Sequence, residues 1–202
     1  MARHSRFDQW RTGSRKACQG VARLFRRPRV RISFDIDDTL ACLPEHSPIE
    51  HSKLPDCVHR WLGEPLRRGT RELMRDLRRQ GYSIWIYTSS GRSPAYIRRW
   101  LLLYGIRVDG VVNSDRHQQV LAAKGVEKGP SKLPSAFDID LHVDDSEGVG
   151  IEGDDHGFRV VVVCPKDGDW THKVMAAAAA VQAQLAWQQP LRHRVPAQAL
   201  LS

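Results

Sequence analysis

The sequence predicts an α/β domain: a three-layer sandwich with a central parallel sheet and helices on both of its faces. Two observations predict it. From Val30 onward, short apolar runs alternate with segments of helical periodicity, and such alternation produces parallel strands joined by crossover helices. Acidic and hydroxyl residues follow directly on several of the apolar runs, which is where ligands bind in such sheets, beyond the carboxyl ends of the strands.

The elements follow in order. Val30–Phe34 reads as a strand ending in an acidic cluster, and residues 41–65 form an irregular, Pro-containing insert. Thr70–Gln80 fits a helix with Leu73 and Leu77 inward, and Gly81 supplies its stop. Tyr82–Tyr87 is a strand, followed by the turn Thr88-Ser89-Ser90-Gly91. Ser93-Pro94 makes an N-cap and first-turn pair for a helix with Ile97, Trp100, Leu101 and Tyr104 on its inner face, closed by Gly105. Val108–Val112, Asp140–Val143 and Phe158–Val163 read as further strands. Trp170–Gln189 reads as an Ala-rich helix stopped by Pro190; the run Ala176–Ala180 expresses helix propensity. The expected organisation is a basic arm over residues 1–28, one domain over 29–189, and a tail over 190–202.

At 202 residues the chain accommodates one domain with arms and a hydrophobic core that needs no disulfides. Cys18, Cys42, Cys57 and Cys164 lie far apart with no CxxC pair, a usage that suits a reduced cytoplasmic protein. No run of about 18 apolar residues offers a spanning helix, and the basic N-terminus lacks the apolar segment of a secretory signal. Residues 1–31 carry ten Lys or Arg against Asp8, a net of +9, so the other 171 residues net −1 of the chain's +8. The basic character belongs to the arm, where Trp10, Ala17, Val21 and Leu24 recur at helical spacing and Gly13 and Gly20 weaken the pattern. Such an arm is either a solvated tail or a contact for nucleic acid or anionic lipid.

The chemistry concentrates in two acidic clusters. Asp35, Asp37, Asp38 and Thr39 directly follow the first strand, and Asp144-Asp145 follow the strand holding Leu141 and Val143. Carboxylates crowded together repel one another unless a cation or a proton lies among them. Two such clusters at equivalent strand ends suit a hard divalent cation with oxygen ligands, magnesium (Mg2+) above all. Thr88 ends another strand, so its hydroxyl, Ser89 and the following amides face the same edge and can bind phosphoryl oxygens. Lys132 is preferred to Lys124 and Lys128 as the positive charge, because Ser131-Lys132-Leu133-Pro134 reads as a short, fixed lead-in to a helix or turn. Arg92 reads either as a contact for a substrate anion or as an exposed turn residue.

Asp35-Ile36-Asp37-Asp38-Thr39-Leu40 resembles the first motif of the haloacid dehalogenase superfamily, in which a nucleophilic Asp precedes an acid/base Asp by two positions and Thr follows. Thr88 is similar to the second motif, Lys132 to the third, and Asp144-Asp145 to the fourth; all four stand in order across residues 29–165. Asp38 occupies a position where many members carry Gly. The resemblance implies a Rossmann-like fold and a phosphohydrolase in which Asp35 attacks phosphorus to form an aspartyl-phosphate. Asp37 then acts as acid and base, and Thr88 and Lys132 stabilise the transferred oxygens. Asp35, Asp144 and the backbone carbonyl of Asp37 hold magnesium, and Asp145 orients the metal's surroundings. A dehalogenase needs neither an acid at Asp37 nor a metal, so Asp37 favours phosphoryl transfer.

Members often carry a cap domain, but the insert after the first motif and the segment from Ser90 to Ser131 are both too short for one. The second segment is expected to hold one helix, one strand and a connection. A site without a cap admits a nucleotide, a nucleic-acid end, a phosphoprotein or a small phosphate ester. Cys42, His46, His51, Cys57 and His59 in the insert invite a zinc reading, but their spacing fits no compact zinc pattern. A loop lining the substrate site, with His46 and His51 as contacts, is the alternative. Trp61, Trp85 and Trp100 sit in periodic apolar settings and are expected in the core. The rival functional reading is a nucleic-acid- or anionic-surface-binding protein that acts through its basic arm.

Overall fold

A computed structural model describes residues 29–192 except 52–54, 56, 59–62 and 127–128, and no side chain from 188 to 192 is among those described. The arm, the segment beyond Arg192, His59, Trp61 and Lys128 lie outside the described residues. Five parallel strands form one sheet in the order β3-β2-β1-β4-β5: β1 (Arg31–Phe34), β2 (Ser83–Tyr87), β3 (Gly110–Val112), β4 (Leu141–Asp144) and β5 (Val160–Val162). Helices α1 (Thr70–Arg79), α2 (Pro94–Leu103), α3 (Ser114–Ala123), α4 (Glu147–His156) and α5 (Trp170–Arg192) connect or follow them. This is the three-layer α/β sandwich with a central parallel sheet that the sequence predicts.

The pleat sorts the side chains. Ile32, Phe34, Ile84, Ile86, Leu141 and Val143 point to one face and meet Leu73, Met74 and Leu77 of α1, Ile97, Trp100 and Leu101 of α2, and Trp170, Val174, Ala178 and Val181 of α5 in the main core. The other face carries a smaller cluster of Tyr87, Val112, Phe137 and Ile139, with α3 contributing Val120 and Trp85 lying partly buried. α4 covers the same face, with Gly150 and Gly153 set against Val162 and Val160.

The local signals behave as expected at α1 and α2. Gly81 and Gly105 have φ of +90° and +76° just past the two helices, the left-handed conformation that favours glycine at such ends. Ser93 caps α2 by accepting from the Tyr96 amide at 3.2 Å.

Three features depart from expectation. α3 stands where a connection was expected, so the region from Ser90 to Ser131 holds two helices, and α4 occupies a segment to which no element was assigned. α3 buries only His117 and Leu121, too few apolar positions to mark a stripe. α4 contains three glycines, yet a Cβ on Gly153 would lie 2.8 Å from the Phe158 carbonyl. There glycine buys close approach to the sheet rather than signalling a loop. Finally, α5 runs to Arg192; Pro190 removes one backbone donor near the end without terminating the helix.

The described part of the insert is irregular and fastened at its ends. Ala41 bridges Leu66 and Ile49 bridges Arg67. Arg67, almost fully buried, donates to the carbonyls of Cys164 and Asp167 at 2.7 and 2.9 Å. No helix among the described residues is long and apolar enough to cross a membrane.

Candidate active site

Asp35 leaves β1 with its amide still bonded to the Val143 carbonyl at 2.9 Å, so the sheet fixes its backbone. The chain then coils: the amides of Leu40 and Ala41 both donate to the Ile36 carbonyl, and the buried Ile36 and Leu40 pin the loop to the core. Asp38 has φ of +53°, a conformation that Asp tolerates better than most residues and Gly adopts freely. The loop turns Asp35 inward and Asp37 outward, the latter with a side chain 56% exposed. Thr39 donates to Asp145 Oδ1 at 3.2 Å and ties the first acidic cluster to the second.

Carboxylate oxygens of Asp35, Asp144 and Asp145 lie within 4.8 Å of one another. Lys132 sits between the first two, its Nζ 2.8 Å from Asp35 Oδ1 and 2.5 Å from Asp144 Oδ2. Its segment is held firmly. The Leu133 amide donates to the Tyr87 hydroxyl at 2.7 Å, which bonds the Nδ1 of His117 at 2.6 Å. Ser131 donates its amide and hydroxyl to Glu152 at 2.9 and 2.7 Å, and a short 3-10 turn, Pro134–Phe137, follows. Lys124 is exposed at the end of α3.

Thr88 is buried just past β2, where its amide donates to the Val112 carbonyl. Its hydroxyl oxygen accepts from the Ser90 amide at 3.1 Å. Ser89 is exposed beside it. Arg92 is neither free toward the crevice nor a loose turn residue: its guanidinium forks onto both Asp37 and Glu64.

Several partners were not anticipated. His142 is fully buried on β4, with Nδ1 2.8 Å from Ser33 Oγ and Nε2 2.9 Å from Asp144 Oδ2. Burial lowers the His142 pKa, against the pull of Asp144, and so favours the neutral ring. In that form, the tautomer with its proton on Nε2 donates to the ionised Asp144 and accepts at Nδ1 from the Ser33 hydroxyl. Polar residues at fully buried positions of strands are the signal that could have found this pair. Glu64 and Tyr87 carried no comparable signal, since both act through contacts across distant segments.

The two carboxylates flanking Lys132 are opposite in character. Burial works against the charged form of Asp144, but His142 and Lys132 outweigh it and hold its pKa well below the usual range; the Ser146 amide donates to its other oxygen at 3.0 Å. Burial raises the pKa of Asp35, and the Asp144 charge adds to this against the pull of Lys132. Although Lys132 Nζ is near Asp35 Oδ1, that buried oxygen accepts no aligned hydrogen bond. Asp145 is raised as well, by burial and by Asp144. Three carboxylates against one ammonium leave a formal charge of −2, an environment suited to a divalent cation with oxygen ligands. The under-bonded Asp35 Oδ1 is a fitting ligand atom for one.

Among the described residues, the acidic trio is the group of three His, Cys, Asp or Glu side chains able to hold a metal. The insert's described residues do not form a second one. Cys42 is instead buried with its thiol donating to the Asp38 carbonyl at 3.3 Å, and burial pushes its pKa up to about 11. His46 and His51 are exposed.

At one edge of the parallel sheet the fold gathers an acidic loop, a hydroxyl turn, a buried lysine and an acidic pair. No family model and no curated protein matches the chain. Similar solved structures include a chain of the Pnkp1/Rnl/Hen1 complex, at 15% identity over 68% of this chain and 47% of that one, with a TM-score of 0.43. They include a predicted HAD-like family hydrolase from Porphyromonas gingivalis, at 13% identity over 70% of this chain and 94% of that one, with a TM-score of 0.37. CbbY from Rhodobacter sphaeroides, in complex with xylulose-(1,5)-bisphosphate, shows 15% identity over 68% of this chain and 87% of that one, with a TM-score of 0.41. The chain thus spans about half of the first of these. With TM-scores this low, the functional reading rests on the chain's own residues.

Proposed function

We propose that this chain is a magnesium-dependent phosphomonoesterase working through an aspartyl-phosphate on Asp35. One observation carries the reading: carboxylate oxygens of Asp35, Asp144 and Asp145 converge within 4.8 Å at the carboxyl edge of the sheet, with a buried lysine among them. Asp35, Asp144 and the Asp37 carbonyl would hold magnesium, with Asp145 fixed through Thr39 as a support. Bound there, the ion supplies charge that offsets repulsion between the Asp35 carboxylate and a phosphate.

Asp35 is suited to be the nucleophile because its side chain is the least committed of the buried carboxylates to protein donors. It attacks phosphorus as the ester oxygen departs. Asp37, exposed at the mouth of the crevice, gives its proton to that leaving oxygen and then takes one from the water that hydrolyses the intermediate. The Thr88 hydroxyl, the Ser89 turn and Lys132 stabilise charge on the transferred oxygens. With an insert too short for a separate cap domain, the site would admit a bulky phosphorylated substrate as well as a small ester. The basic residues 1–28 are candidates for contact with a polyanionic one.

The test is release of phosphate from an aryl phosphate with magnesium present. Wild type is expected to be active and a chelator to silence it. Asp35→Asn should lower activity by at least about a thousandfold while the protein still unfolds cooperatively. Retained activity in a folded Asp35→Asn protein would sink the reading.

A further inference from the structure

We infer that Arg92 is a positioning residue that aims Asp37 at the leaving group, and that Glu64 of the insert anchors it; this rests on the phosphatase reading above. A guanidinium has five N–H donors, and four contacts here are committed to two carboxylates. Nε donates to Glu64 Oε1 at 2.8 Å and Nη2 to Glu64 Oε2 at 2.7 Å. Nη2 also donates to Asp37 Oδ1 at 2.7 Å, and Nη1 to Asp37 Oδ2 at 2.8 Å. A substrate phosphate would have to displace one of these forks to recruit Arg92, so binding substrate is not what the arrangement favours.

Positioning is. Asp37 stands on a coiled loop with an exposed side chain, and among the described residues it is Arg92 that holds its carboxylate. A general acid must lie within hydrogen-bond reach of the oxygen it protonates, and a displacement of about 1 Å can cost about a hundredfold in rate. A bidentate fork fixes both the position and the plane of a carboxylate. It leaves the second lone pair of each oxygen available for a proton.

The anchor extends into the fold. Arg92 holds its backbone through the Asn113 side chain, which donates to the Arg92 carbonyl at 3.2 Å. Glu64 accepts from the Tyr96 hydroxyl at 3.1 Å, and its carbonyl accepts from Trp100 Nε1 at 2.8 Å. The insert is thereby clamped to α2 and, through Arg92, to the loop after Asp35. It serves the acid/base residue through Arg92 and is more than a lining for substrate.

The experiment uses two substrates that differ in their need for an acid. 2,4-Dinitrophenyl phosphate expels a stable anion unaided, whereas glycerol 2-phosphate must have its alkoxide protonated. Asp37→Asn provides the reference pattern. Arg92→Ala is expected to lower kcat on glycerol 2-phosphate by about 10²–10⁴-fold, and on the dinitrophenyl ester by less than about tenfold, with little change in KM. Glu64→Gln should show the same substrate dependence with a smaller loss. It also carries the test if Arg92→Ala fails to fold, and Arg92→Lys should not rescue because it lacks the fork. Equal losses on both esters, or a raised KM with unchanged kcat, would overturn the assignment and make Arg92 a substrate contact. A folded wild type inactive on both esters with magnesium would overturn the phosphatase reading, and this inference with it.

Discussion

The two faces of the sheet do different work. Phe34 and Ser33 are neighbours on β1, and both are completely buried. Phe34 joins the large apolar core on one face. Ser33 begins a hydrogen-bonded chain on the other, through His142 to Asp144 and Lys132. On the first face stability comes from volume and area, which are tolerant of exchange among apolar residues. On the second it depends on every donor meeting an acceptor, because an unpaired buried polar group forfeits its hydration without return. The site grows from the second face, and its geometry is set by partners rather than by packing.

Two substitutions at adjacent positions break this comparison open. Phe34→Ala should cost about 3–5 kcal/mol of unfolding free energy, the range for emptying an aromatic site in a packed core. It should lower the urea midpoint greatly, yet leave magnesium-dependent activity measurable wherever the protein remains folded. Ser33→Ala should cost about 1–3 kcal/mol, because His142 Nδ1 loses its donor in a dry setting. Its signature differs in kind. Asp144 loses part of what holds its orientation, so protection of the fold by magnesium in thermal unfolding should weaken. If Ser33→Ala left that protection unchanged, the polar chain would be stabilising the sheet and nothing more.

The same contrast explains what was legible in the sequence. Strands β1, β2 and β4 and helices α1 and α2 were readable because their apolar spacing, Ser93 cap and terminal glycines are local signals. Asp35, Asp37, Thr88, Lys132, Asp144 and Asp145 were readable as candidates because chemistry-bearing residues at strand ends stand out against apolar runs. Helix α3 has hardly any apolar stripe, and α4 is glycine-rich because Gly153 must approach the sheet closely. Neither pattern announces a helix. The Arg92–Glu64 pairing spans 28 residues in sequence, and no local rule selects one carboxylate from many. What was missed was the pairing of distant polar groups, which only the fold brings together.

A carboxylate far from the site sharpens the comparison at the smallest scale. Asp109 lies at the amino end of the sheet and accepts from the Ile84 amide at 2.9 Å, Ser83 Oγ at 3.0 Å and Arg78 at 3.3 Å. Burial opposes its charged form, but these donors prevail and lower its pKa, whereas Asp35, with fewer donors and deeper burial, is raised. A carboxylate whose folded pKa is depressed stabilises the protein above its unfolded value, and that contribution fades as pH falls through the folded value. Wild type should therefore lose part of its stability to Asp109 as pH falls below about 4, near the ordinary carboxylate pKa. Asp109→Asn keeps an acceptor for the Ile84 amide but cannot titrate, so its urea midpoint should fall less steeply between about pH 5 and pH 3. Parallel slopes for the two proteins would mean that Asp109 is solvated alike in both states. In that case donor count would not separate the structural carboxylate from the chemical one.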